Sequence, residues 1–218
     1  MIESFGYHEF LYLLRSAGWT LALTAISLII GAVAGGVIAI ARLSRFTALR
    51  HAAGTFIAVI QSIPVLMVLF LSYYGLSFAG LEPPPLLAAS LSLGVYVSAY
   101  LAEIWRGAIE AVPVQQWEAS ESLAMTRGQQ YYYVILPQAV AISLPPTVGF
   151  IVQLVKNTSI VSVVGFVELS RAGQLINNAT FDPFRVFGAV AVIYFLICFP
   201  LSRLSRYFER VLNVGRNN

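Results

Sequence analysis

The run Trp19-Thr-Leu-Ala-Leu-Thr-Ala-Ile-Ser-Leu-Ile-Ile-Gly31-Ala-Val-Ala-Gly35-Gly36-Val-Ile-Ala-Ile-Ala41-Arg42 decides how this chain folds. It carries no charge before Arg42, and roughly 20 such residues in a helix cross the hydrocarbon core of a bilayer. Gly31-x-x-x-Gly35 and Gly36 permit close approach of a second helix, which taken alone says no more than ordinary membrane-helix packing. Arg42, Arg45, Arg50 and His51 follow at once. By the positive-inside rule they place this loop in the cytoplasm and the N-terminus outside.

Composition agrees. Of 218 residues 58% are hydrophobic and only 11% charged, with mean hydropathy +0.78, whereas soluble domains carry roughly 25% charged residues. The expectation is an all-α, polytopic membrane helix bundle in a single domain, 1–218, with about five transmembrane helices. The formal net charge of +3 comes from arginines beside the spans, so it reports topology and implies no nucleic-acid partner. Cys198 has no second cysteine to pair with, which excludes an internal disulfide or a CxxC metal site. His8 and His51 fall near opposite membrane faces, so neither a histidine metal cluster nor a catalytic triad can assemble. Met1 to His8 contains Glu3 but no basic segment, so a cleaved signal is not expected.

Four further spans follow the first, at about 55–78, 86–104, 138–165 and 184–201. The second contains Gln61-Ser62-Ile63-Pro64, whose proline frees a backbone carbonyl that needs a partner in the bundle. Glu82-Pro83-Pro84-Pro85 is a stiff outer turn. Glu103 and Arg106 are spaced for an i, i+3 ion pair at the cytoplasmic end of the third span. The fourth passes the helix-bending Pro145-Pro146 and carries Gln153, Lys156, Asn157, Thr158 and Ser159, polar groups that are costly at membrane depth unless they face a cavity or a partner helix. Lys156 has the further option of snorkelling to an interface, which leaves the others as polar contacts between helices. Val167 to Ile176 reads as a short external helix, with Glu168 and Arg171 paired at i, i+3 and Leu169 and Ile176 facing inward. Arg203, Arg206, Arg210 and Arg216 place the C-terminus in the cytoplasm, consistent with five crossings.

Between spans three and four lies a polar loop, about 109–137. Pro113 favours the start of a new helix running through Glu118 to Leu123. Thr126 and Gln129 have capping-box spacing for a second helix from Arg127. The first helix is too short to be stable alone, and Ala119, Ser120 and Ala124 would let a partner approach closely.

The spacing Glu118-Ala119-Ser120, Ala124, Val134-x-Leu136-Pro137 resembles the EAA loop of the integral membrane permeases of ABC importers. Glu103-Ile-Trp-Arg-Gly-Ala-Ile-Glu-Ala-Val-Pro113 and Leu136-Pro137-Gln138-Ala139 narrow the resemblance to polar amino-acid permeases, and it extends from about Trp19 to Glu209. Lys156-Asn157-Thr158-Ser159-Ile160-Val161-Ser162-Val163-Val164-Gly165 resembles that family's Lys-Asp-Thr-Ser-Leu-x-Ser-Val-x-Gly signature. Pro64 to Tyr73-Tyr74-Gly75 resembles its Arg-Gly-Thr-Pro…Tyr-Tyr-Gly pattern. Four departures stand out: Ser120 for Ala, Ala124 for a turn Gly, Gln61 for Arg and Asn157 for Asp. If that turn needs a positive φ, Ala124 costs roughly 1 kcal/mol.

The resemblance implies a type I importer fold and a cytoplasmic coupling helix formed by Glu118, Ala119, Ser120, Ala124 and Met125. It also implies a substrate pathway lined by Gln61, Gln153, Asn157, Thr158 and Ser159. The implied partners are an ABC ATPase dimer, a second permease subunit, identical or paralogous, an extracytoplasmic solute-binding protein and a polar amino acid. The implied setting is the lipid bilayer of the bacterial cytoplasmic (inner) membrane. The chain lacks a Gly-x-x-x-x-Gly-Lys-Ser/Thr loop, so ATP and Mg are expected on the separate ATPase and none is expected in this chain. Asn157, Gly149 and Phe150 bring no acidic group, which points to a neutral or anionic amino acid over a cationic one. Two other classes compete: a membrane scaffold that recruits an ATPase without transport, and an ion-coupled secondary transporter. The latter lacks membrane-embedded carboxylates and inverted repeats.

Overall fold

The computed structural model describes residues 5–81 and 83–214; Met1, Glu3, Glu82 and Arg216 lie outside the described residues. The described residues form helices joined by short connections, with no strand. The elements are α1 (Tyr7–Arg42), α2 (Thr47–Ser62), α3 (Val65–Phe78), α4 (Pro85–Glu110), α5 (Val114–Ser122), α6 (Arg127–Gln129), α7 (Leu136–Asn157), α8 (Leu169–Thr180) and α9 (Pro183–Val214). A π-helical turn, Gln130–Ile135, joins α6 to α7, and a 3₁₀ segment, Thr158–Val164, extends α7.

The helices outrun the apolar stretches. At 1.5 Å per residue α1 is about 54 Å long, far more than a bilayer core. Its outer turns are helical because Leu13 and Ala17 are buried against Leu169, Ala172 and Ile176 of α8 and Val186, Val190 and Ile193 of α9.

The centre of the bundle is the α1–α4 contact, made of small residues. Ser27, Gly31, Gly35 and Ala39 on α1 recur every four residues, as do Ser90, Gly94, Ser98 and Ala102 on α4: three glycines and five small side chains. A Cβ at Gly35 would lie 2.9 Å from the Ser98 carbonyl oxygen, and one at Gly94 would lie 2.7 Å from Ile30. In lipid there is no hydrophobic drive between helices, so this close backbone approach supplies the association. Because Gly31 meets Gly94 and Val97 while Gly35 meets Ser98 and Ala102, the two helices run parallel.

That direction has a topological consequence. If α1 and α4 both run from outside to cytoplasm, the chain between them must cross back, and only α2 and α3 are available. The sequence predicts a single span over 55–78. The structure instead breaks it at Ile63-Pro64 and bends the two halves by 113°. Pro64 lacks an N–H and clashes with the preceding turn, so α2 stops at Ser62 and Pro64 caps a fresh helix, its carbonyl accepting from Met67 N–H at 2.8 Å. By length and hydropathy α1, α4, the Arg127–Val164 helix and α9 are each able to cross a membrane among the described residues, and the bent pair counted as one broken span brings the number to five.

α7 packs antiparallel to α4, with Trp105 Nε1 donating to Thr147 Oγ1 at 3.3 Å and Phe150 stacked on Tyr100 at 5.2 Å. Pro145 and Pro146 lie inside α7, which continues as a helix past both. Ser205 on α9 donates to the Pro145 carbonyl at 2.9 Å, tying the proline turn to the last helix.

Candidate functional site

Two polar features stand out: the cytoplasmic helix α5 and the polar end of α7. α5 begins where Pro113 holds an extended φ/ψ of −55°/138° and ends after Ser122 in a left-handed turn. Ala124 has φ +54°, and Met125 N–H reaches back to the Ser120 carbonyl at 3.2 Å. This is a Schellman closure, in which the residue after the C-cap takes positive φ so that free carbonyls find donors. Thr126 and Gln129 form the capping box, Thr126 N–H donating to Gln129 Oε1 at 2.8 Å and Gln129 N–H to Thr126 Oγ1 at 3.4 Å. A π-turn follows, two residues before Pro137, which has no N–H to continue an α-ladder.

α5 is held by a small core of its own. Val112, Ile135 and Ala139 are buried, with Ile109, Trp117, Val134 and Ile142 packed on them. Trp117 meets Tyr131 edge-on at 5.1 Å, and Gln138 Nε2 donates to Gln116 Oε1 at 3.3 Å. The short helix is thereby fixed to the end of α4 and the start of α7.

Its faces differ from expectation at one position. Glu118, Ala119, Glu121, Ser122, Leu123 and Ala124 are exposed and Met125 is half-buried, but Ser120 is 2% exposed. At 100° per residue Ser120 shares the inner face with Trp117, and its Oγ donates to the Trp117 carbonyl at 2.8 Å. Its small size serves packing within this chain and is not offered to a partner.

On α7, Gln153 Nε2 donates to Asn157 Oδ1 at 3.1 Å. Gln153 is exposed and Asn157 buried, so this bond links the open face to the interior. Thr158 and Ser159 turn their hydroxyls back to the Val155 and Lys156 carbonyls, each at 2.7 Å. Gln61 is exposed at the end of α2 and makes no hydrogen bond to this group among the described residues. Two turns before Asn157 on α7, the Phe150 ring clusters with Tyr96 and Tyr100 of α4, with centroids 4.5–6.0 Å apart. The aromatic trio was not identified from sequence, because its members come from two helices and share no motif. On the cytoplasmic side Gln116, Gln138, Gly149, Ser205 and Glu209 line a cavity of about 1010 Å³ between α5, α7 and α9.

Arg106 pairs with Glu103, as the spacing predicts, and also with Glu110. Glu168 departs from expectation. Instead of pairing with the Arg171 guanidinium, it caps α8, accepting the Ser170 and Arg171 N–H groups at 2.9 Å each. Arg171 donates to Gln174 instead. Glu168 is fully buried and also accepts from Tyr194 OH at 2.9 Å and Thr20 Oγ1 at 3.3 Å, so one carboxyl joins α8, α9 and α1. Burial pushes this carboxyl above the ordinary glutamate range, and its four hydrogen bonds draw it part of the way back. The sequence spacing pairs Glu168 with Arg171; neither its role as N-cap nor its enclosure by three helices was identified from sequence.

A bundle of four to five membrane-length helices with a clamped cytoplasmic helix and a polar span end has the architecture of a multi-pass membrane protein. The comparisons make the class specific: residues 27–214 match the model of the binding-protein-dependent transport system inner membrane components, and the chain belongs to that family. It is 34% identical over 211 residues to YckA, a probable amino-acid ABC transporter permease of Bacillus subtilis, covering 97% of this chain and 89% of that protein. It is 33% identical over 204 residues to GlnP, the glutamine transport system permease of Escherichia coli, covering 93% of each. A crystal structure of an amino acid ABC transporter with histidines superposes with TM-score 0.85 at 36% identity, over 91% of this chain and 93% of that one. A chain of the methionine transporter MetNI, at TM-score 0.79 and 20% identity over 95% and 99% of the two chains, shares the fold. The chain is thus a multi-pass inner-membrane permease subunit of a binding-protein-dependent transport system; this family is the membrane component, and ATP hydrolysis belongs to a separate subunit.

Proposed function

We propose that this chain forms one half of the translocation pathway of a polar amino-acid importer and is driven through α5. The observation that carries the reading is α5 itself: a short helix exposing Glu118, Ala119 and Leu123 while Val112, Ile135, Ala139 and Trp117 fix its base. Such a helix transmits force because it moves with α4 and α7. ATP and Mg are held by an ATPase dimer that grips this helix and its counterpart on a second permease subunit. Closure of the dimer draws the two coupling helices together and rocks the bundles as rigid bodies between inward- and outward-facing states. A solute-binding protein delivers the cargo outside.

Asn157, joined to the exposed Gln153, is the polar contact to cargo, with Ser159 and Gln61 contributing along the path, while Thr158 is fully buried and supports Asn157 from within the bundle. No carboxylate accompanies Asn157 on α7, so an amino acid with a neutral or anionic side chain fits better than a cationic one. Relatives named for glutamine support this choice.

The test is ATP hydrolysis in proteoliposomes holding this chain, its co-purifying ATPase and its binding protein, with single amino acids added in turn. Stimulation by glutamine or another polar, non-cationic amino acid is expected. Stimulation by lysine or arginine alone would overturn the cargo class. ATPase binding with no response to any amino acid would favour the scaffold. Glu118→Lys is expected to leave insertion intact and weaken ATPase docking about tenfold or more, the scale of an interface hot spot.

A further inference from the structure

We propose that Arg203, Arg206 and Arg210 on α9 form a binding site for anionic phospholipid headgroups of the cytoplasmic leaflet. The residues stand at i, i+3 and i+7, so they share one helical face. The opposite face is occupied: Ser205 is bonded to Pro145 of α7, and Phe208 is half-buried. The arginine face is therefore open. All three side chains are exposed, and among the described residues none lies within ion-pair distance of a carboxylate, although Glu209 is adjacent in sequence.

Depth matches the headgroup layer. The apolar part of α9 ends near Leu201, which puts Arg203 about 3 Å, Arg206 about 7 Å and Arg210 about 13 Å further along the axis. The polar layer on each side of a bilayer core is roughly 5–8 Å thick, and the longer reach of Arg210 is covered by a side chain that can bend back toward the surface. The three arginines line a cleft of about 470 Å³ together with Pro200, Leu204 and Tyr207. Leu204 and Tyr207 are 42% and 61% exposed, a mixture of apolar and basic groups suited to the boundary between acyl chain and headgroup.

Topology alone does not account for the arrangement. The positive-inside rule asks only that cations lie on the cytoplasmic side, and Arg106 satisfies it while paired to Glu103 and Glu110. Arg203, Arg206 and Arg210 are left free around a shared cleft, and a guanidinium fork matches a phosphate diester in geometry as well as charge. Basic clusters immediately cytoplasmic of a span recruit anionic lipid in this way.

The experiment uses the purified full chain in mild detergent, titrated with phosphatidylglycerol or phosphatidylcholine of the same acyl chains, and bound lipid is counted by native mass spectrometry. Phosphatidylglycerol is expected to bind at least tenfold more tightly. In R203Q/R206Q/R210Q that affinity is expected to fall on the order of 100-fold, the combined effect of three interfacial arginines. Equal binding of the two lipids by the unaltered chain overturns the proposal, as does undiminished phosphatidylglycerol affinity in the triple variant. Displacement by glycerol phosphate at concentrations equal to the lipid would reassign the cleft to a soluble phosphate. Release of bound lipid by the purified ATPase subunit would reassign it to protein docking. Should the triple variant fail to insert, the two-lipid comparison on the unaltered chain and the single variant Arg206→Gln decide the matter.

Discussion

Ala124 holds φ at +54°, a conformation in which a Cβ crowds the following carbonyl. Ala124→Gly should therefore raise stability by about 1 kcal/mol without altering transport, measured as a rise in the thermal transition of the detergent-solubilised chain. An unchanged or lowered transition would show that the turn is not strained. Glu168 is the second informative residue. Its carboxyl is raised above the ordinary value of 4.5 by burial, so folding makes its proton harder to lose than in the unfolded chain. Its contribution to stability is fully present below that value and is lost as pH rises through the higher folded value. The Glu168→Gln variant keeps a neutral side chain at every pH. The melting temperature of the unaltered protein minus that of Glu168→Gln should accordingly fall as pH rises above 4.5, and a flat difference would refute the assignment.

At the scale of elements, the α1–α4 seam and the α5 clamp have opposite tolerances. Gly35→Leu places atoms against the backbone of Ser98 and Ala102, which cannot yield. A cost of about 3 kcal/mol or loss of monodisperse protein is expected, read by fluorescence size-exclusion. Gly36→Leu is the control, since a Cβ there meets only the Trp105 ring at 3.7 Å, an ordinary contact. Similar behaviour of the two variants would mean that the seam is looser than described. The α5 clamp fails differently. Trp117→Ala removes the edge-on contact to Tyr131 and part of the local core. It should leave the span bundle folded while reducing substrate-stimulated ATP hydrolysis at least tenfold, because a loosened lever no longer moves α7 with it.

Across the whole molecule, five crossings depend on the bent α2–α3 pair traversing the membrane, as the parallel α1 and α4 require. In a Cys198→Ser background, cysteine at exposed Leu81 should react with an impermeant maleimide in intact cells, whereas Ala48→Cys should react only after permeabilisation. Labelling of both from one side would make the pair a re-entrant loop.

Much of this was legible in the residues. The uncharged run from Trp19 to Ala41, its arginine border and the later spans determined a multi-pass helical bundle with a cytoplasmic tail, because the bilayer demands long apolar helices and sorts arginine to one side. Pro113, Thr126 and Gln129 determined where the coupling helix and its successor begin, because capping is local chemistry between neighbours in the chain. Contacts between distant segments were decided only by the tertiary structure. They packed Trp117 of α5 on Val112, Ile135 and Ala139, enclosed Glu168 between Thr20 and Tyr194, and brought Phe150 of α7 against Tyr96 and Tyr100 of α4. Pro64 marked a break in the sequence, but the 113° bend follows from how α3 packs on α1 and α4. A one-dimensional pattern records which residues favour a helix end or a lipid face; it does not record which side chain of another helix will meet them.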